Sequence, residues 1–138
     1  MKQLCKGIWL AAALVSTGVS AATLQVRIDG VASAKGTLRV AVCDESSFLK
    51  KCALGAVVPA KNGAMAVDVP AVPSGNWAVM AYHDENGNEK LDRNQMGIPT
   101  EGYGFSNGAS AKYGPPQFKQ TAIKVGETPA TAHINLQY

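Results

Sequence analysis

Apolar residues recur at every second position in short runs along this chain, and a period of two constrains the fold more than any other feature of the sequence. From Thr23 to Asp29, Leu24, Val26 and Ile28 share one face while Thr23, Gln25, Arg27 and Asp29 occupy the other. Leu38, Val40 and Val42 repeat the pattern after Gly36, as do Met65, Val67 and Val69 after Asn62-Gly63, a dipeptide that signals a hairpin. Gly55 to Pro59 reads as a short edge strand closed by a proline that cannot donate to a ladder. Pro70 to Asn76 reads as a turn-rich connection, and Gly75 to Tyr82 is apolar on both faces, as in a strand covered on each side. Thr121, Ile123 and Val125 alternate again, and the last strand sets Ala132, Ile134, Leu136 and Tyr138 inward against Thr131, His133, Asn135 and Gln137. About seven short strands, with no helix longer than a turn or two, predict an all-β, antiparallel β-sandwich of the immunoglobulin or prealbumin kind. An outer-membrane barrel needs eight strands of about ten residues, more and longer than these.

The first residues do not belong to that pattern. Lys2 and Lys6 precede an uncharged apolar run from Gly7 to Val19, and Val19-Ser20-Ala21-Ala22 supplies small residues at its end. This is the plan of a secretory signal peptide over 1–21, cleaved after Ala21 or Ala22. The mature chain 22–138 is then a single domain of 138 − 21 = 117 residues with a net charge near 11 − 10 = +1, since Lys2 and Lys6 leave with the leader. No clustered basic face suits nucleic acid, and no later run reaches the ~20 apolar residues of a membrane span. The expected product is periplasmic or secreted in a bacterium, monomeric, and met by an envelope or extracellular ligand. In an oxidising compartment Cys43 and Cys52 are expected to form a disulfide, closing a loop worth roughly 2 to 3 kcal/mol.

Function is expected in the long loop 83–117, within a stretch from Ala81 to Phe118 that carries five of the ten acidic side chains. Asp84, Asn86 and Asn88 stand at alternate positions, followed by Lys90, Leu91 and Asp92. Alternating oxygen side chains let a short segment wrap a hard cation, with the Lys90 carbonyl in the seventh place. Calcium is the expected ion and the expected cofactor. Glu89 replaces the usual glycine at position six and Gln95 the bidentate glutamate at position twelve, so only Asp84 and Asp92 supply charge unless Glu101 folds back as a further carboxylate. Affinity is then expected in the range of about 0.1 to 1 mM. The same letters also serve plain turns, because Asp and Asn bond to local backbone.

Gly104-Phe105-Ser106-Asn107-Gly108 spells the nucleophile elbow of serine hydrolases, with Glu127 and His133 downstream. A small hydrolase using Ser106 and His133 is therefore the alternative function, although no helix can follow the elbow here; the leading expectation names no catalytic residue. Tyr103, Phe105 and Tyr113 among glycines and prolines either pin the loop or form a binding surface, the basis of a carbohydrate- or envelope-binding alternative.

Three runs together resemble one known family: Asp84-x-Asn86-x-Asn88-x-x-Leu91-Asp92-x-Asn94, then Gly97-Ile98-Pro99-x-Glu101-x-Tyr103-Gly104-Phe105-Ser106-Asn107, then Gly114-Pro115-Pro116-x-Phe118. They are similar to the bacterial domain-of-unknown-function family 2141. The resemblance implies an exported, prealbumin-like β-sandwich and no particular reaction. Members often read N-G-N-G-K-L-D, so Glu89 departs from the pattern where a positive backbone angle would be strained.

Overall fold

The computed structural model describes residues 13–15 and 21–138, so the proposed leader lies largely outside the described residues. Eight strands follow: β1 Ala21–Val31, β2 Thr37–Cys43, β3 Leu54–Pro59, β4 Gly63–Pro73, β5 Gly75–Asp84, β6 Tyr103–Phe105, β7 Ala122–Val125 and β8 Ala130–Asn135. Two short helical pieces intervene, a 3-10 turn at Ser106–Gly108 and α1 at Phe118–Thr121.

The strands form two open sheets, as a sandwich requires. One sheet has the order β4-β1-β8 and the other β3-β2-β5-β6, with β7 also paired to β5. Alternation sorted the faces correctly. Leu24, Val26 and Ile28 of β1 lie beside Val69, Val67 and Met65 of β4 and, on the other side, beside Ala130, Ala132 and Ile134 of β8. Opposite them, Leu38, Val40 and Val42 of β2 align with His83, Ala81 and Val79 of β5. Nearly all of these side chains are buried in one core, each contributing about 1.5 to 3 kcal/mol for a large aliphatic group.

Four local expectations need correction. The last strand joins the first in parallel, not antiparallel, because β8 arrives by crossing over from the other sheet. Asn62-Gly63 does not close a hairpin, since β3 and β4 lie in different sheets and the turn carries the chain between them. The run Pro70–Pro73 stays within β4, leaving Ser74 alone before β5. Prolines are tolerated there because β4 is an edge strand, and the register slips beside Ala71, whose φ of 55° marks a bulge. Finally, the predicted loop 83–117 is interrupted: His83 and Asp84 finish β5, and β6 pairs Tyr103, Gly104 and Phe105 with Tyr82, Ala81 and Met80. Only glycine fits at the middle of that pairing, since a Cβ on Gly104 would lie 2.5 Å from the Asn135 carbonyl oxygen.

Cys43 and Cys52 are bonded across a Cα separation of 5.0 Å. Between them, the Asp44 carboxylate accepts the Ser47 N–H at 2.8 Å and Phe48 N–H bonds back to Asp44 C=O at 3.0 Å, giving a capped turn.

Candidate functional site

β5 ends in two adjacent buried polar residues that face opposite ways. His83 points inward beside Leu38, while Asp84 points outward beside Thr37.

On the inner side every group is matched. The His83 Nε2–H donates to the Lys35 carbonyl at 2.7 Å, which leaves Nδ1 as an acceptor for the Tyr138 hydroxyl, also at 2.7 Å. The Tyr138 oxygen in turn accepts the Ala32 N–H at 3.0 Å. Burial pushes the Tyr138 phenol above its ordinary pKa, which keeps it a donor. The Tyr138 ring covers Gly102, where any Cβ would overlap it. Thus the last residue, half exposed and not simply inward, holds the far end of the loop against β5.

On the outer side the matching is incomplete. Asp84 Oδ2 receives Arg39 Nε–H at 3.1 Å and Glu89 N–H at 2.9 Å, and Arg39 also reaches Glu89 Oε1 at 3.2 Å. Glu101 Oε2 receives Asp92 N–H at 3.1 Å, bringing the end of the loop back over its start. Asp84 Oδ1, Glu101 Oε1 and Thr37 Oγ1 are buried without a hydrogen-bond partner. These are the three such side-chain atoms identified among the described residues. Two belong to the loop's ends, and the third lies directly across the ladder from Asp84.

Between the two ends, the Asn86 and Asn88 side chains each fold onto their own backbone. Asn86 Oδ1 accepts the Asn88 N–H and Asn88 Oδ1 accepts the Lys90 N–H, both at 3.1 Å. Their NH2 groups converge on Asp92, each 2.6 Å from one carboxylate oxygen. Those bonds, Asn88 first and Asn86 next, hold the Asp92 carboxyl below its ordinary pKa, with the Glu101 side chain contributing after burial opposes. Burial raises the Tyr82 phenol, and Arg39 opposes that shift; the nearby Asp84, Glu101 and Glu89 carboxylates then raise it further.

Glu89 adopts a φ of 64° and Gly87 one of 71°. The chain takes the tight turn that glycine makes easily at position six even with glutamate there, at a cost of order 1 kcal/mol. Asn86, Asn88, Asp92 and Glu101 are thus joined by one hydrogen-bond system, which Lys90 enters through its N–H, while Asp84 belongs to a separate one with Arg39 and the Glu89 N–H. No group of three or more His, Cys, Asp or Glu side chains among the described residues is placed to hold a metal by itself. A cation would therefore have to draw on amide, hydroxyl or main-chain oxygens as well.

Ser106 is not placed as a nucleophile. It is buried in the turn after β6, its hydroxyl donates to the Thr121 carbonyl, and its oxygen accepts Val79 N–H at 3.1 Å. Both capacities are used to join β5 to the α1 end, and the short 3-10 turn replaces the helix an elbow needs. His133 sits on β8, exposed beside Arg27 and Asp29.

Tyr103 and Phe105 pack edge to face with centroids 6.4 Å apart and, together with Tyr113, line a cleft of about 390 Å3 beneath the loop. Tyr113 is 95% exposed.

Arg39, His83 and Tyr138 bond at the ends of β5 and of the loop, and motif reading passed over all three. Arg39 was detectable: alternation turns it outward from Leu38 and Val40, onto the face that Asp84 shares once β2 and β5 pair. His83 and Tyr138 are 55 residues apart and carry no local signal.

The family model described as "Uncharacterized protein conserved in bacteria (DUF2141)" matches residues 26–133. No curated protein and no solved structure matches the chain.

Proposed function

The chain belongs to that bacterial family, and from this premise we propose that it is an exported, non-catalytic binding module whose loop after β5 takes one calcium ion. Export is supported by the leader-like segment 1–21 and by a disulfide of the kind that persists in oxidising compartments. The calcium reading rests on one observation: carboxylate oxygens of Asp84 and Glu101 are buried with no donor to answer them. A buried oxygen left without a donor costs about 1 to 3 kcal/mol, even on a carboxylate whose other oxygen is bonded. A hard cation is the oxygen-seeking group that removes this cost, and the loop would have to draw Asp84, Asn86, Asn88, the Lys90 carbonyl, Asp92 and Glu101 in around it, since its three carboxylates do not converge on one point among the described residues. In binding, the ion would take the place of the two amide NH2 groups that now donate to Asp92.

The test is the melting midpoint of the mature protein in calcium and in chelator. At a calcium concentration about ten times the Kd, binding to the folded state adds about 1.4 kcal/mol, a shift of several degrees. Glu101→Gln is expected to remove the shift. A midpoint that ignores calcium would sink the reading and leave the orphaned oxygens to a buried water.

A further inference from the structure

The cleft beside the loop has a composition that the calcium reading does not use. Its walls come from three separate segments: Leu49 after the disulfide turn, Leu91, Met96 and Ile98 from the loop, and Tyr113 with Pro115 from the approach to α1. The segment between Arg93 and Pro99 is itself a small hairpin, pinned by Arg93–Pro99 pairing and by Asn94 Oδ1, which accepts the N–H groups of Met96 and Ile98. That pinning fixes two large apolar side chains in the open, Met96 at 83% and Ile98 at 52% exposure. Leu49 and Tyr113 are exposed too, so four of the six large exposed hydrophobics between residues 21 and 138 gather around one cleft. A soluble domain does not gather apolar surface this way without something to cover it.

Charge narrows what the cover can be. Arg93 and Lys112 are the charged residues among the lining side chains, and no carboxylate is among them. Arg93 donates to the Gly97 carbonyl, and the Lys112 ammonium lies 5.5 Å from the Tyr113 ring centre. Neither forms an ion pair with a carboxylate among the described residues, whereas Arg39 forms two. A neutral sugar would want planar amides and carboxylates for its hydroxyls, and the cleft offers two cations instead. At about 390 Å3 the volume falls at the small end of the roughly 300 to 1,000 Å3 of ligand pockets, enough for one chain rather than two.

We propose that this cleft binds a single-chain amphiphilic anion, an alkyl carboxylate or a ligand of the same form, with its chain against Leu91, Met96 and Ile98 and its head between Arg93 and Lys112. The site does not require the cation, because its walls and its charges are separate from the calcium ligands.

Isothermal titration of the mature protein with dodecanoate below its micelle concentration tests it, in calcium and again in chelator. Saturable binding in either buffer supports the site; its absence in both overturns it, whatever the melting midpoint does. Ile98→Asp, at an exposed position, is expected to weaken binding by about tenfold or more, because a carboxylate would then oppose both chain and head. Met96→Asp repeats the test should that variant misfold, and Val57→Asp, exposed on β3, is expected to leave affinity unchanged. Lys112→Glu is expected to weaken dodecanoate and to strengthen dodecyltrimethylammonium. Equal binding of the cationic and anionic chains by the unaltered protein would overturn the head-group assignment, and binding to anionic phospholipid vesicles without binding to dodecanoate would point to a membrane surface and overturn the cleft.

Discussion

His83 and Asp84 are neighbours in one strand and both are fully buried, yet the inner residue has both ring nitrogens answered and the outer one has an oxygen left over. The inner side of β5 is complete, with its hydrogen bonds drawn from Ala32 just after β1, Lys35 and Tyr138. The outer side is built from Arg39 of β2 and the loop's own turns and ends in oxygens that nothing among the described residues satisfies. One side of the strand is therefore closed in its hydrogen bonding, and the other is left open. A burial pattern alone does not separate them, but an account of each polar atom does.

Perturbing the inner side should produce the largest effects. Ile134→Ala removes a fully buried side chain from the β8–β1 seam and is expected to cost about 2 to 5 kcal/mol in urea unfolding, with the calcium response of the remaining folded protein intact. Reducing the Cys43–Cys52 bridge is expected to cost roughly 2 to 3 kcal/mol, measured by unfolding with and without reductant. Tyr138→Phe sharpens the contrast more locally. It strips His83 Nδ1 of its donor and should cost about 1 to 3 kcal/mol, with faster amide exchange at Gly102 and Tyr103 because the ring no longer has a hydroxyl anchor. Equal exchange in the two proteins would mean that the inner network does not hold the loop.

The smallest effect lies away from both sides, in the disulfide turn. The hydroxyl of Ser47, then that of Ser46, then the Ser47 N–H hold the Asp44 carboxyl below its ordinary value near 3.8. A depressed folded pKa means that the contribution is present above about pH 4 and disappears as pH falls through the folded value. A carbon-detected NMR titration should place the Asp44 midpoint below 3.8, and Ser47→Ala should return it toward that value.

Much of the sandwich was legible because a buried sheet face enforces a period of two, and Leu24 to Ile28 or Leu38 to Val42 have no other good arrangement. Pairing partners were less legible. Nothing within Ala130 to Asn135 announces that it lies parallel to β1, because that choice is made by the crossover from β7. Asn62-Gly63 misled for a related reason: the dipeptide specifies a tight reversal but not which sheet the chain enters next. At the site, the two asparagines are legible as turn formers, since Asn86 and Asn88 each bond the backbone two residues on, whereas the spacing did not announce that Asp84 turns to Arg39 or that Glu101 accepts the Asp92 N–H. Ser106 shows the limit of short motifs, since the letters of an elbow describe a serine whose hydroxyl is consumed in joining two segments.

The parallel seam between β1 and β8 has a geometric consequence. The chain enters the sandwich at Ala21, beside Pro73 and the start of β5, whereas the oxygen-rich turns lie past the end of β5, a strand length of about 30 Å away. Anything holding this domain from its N-terminal side would grip one pole and leave the other pole, with its unanswered oxygens, facing outward.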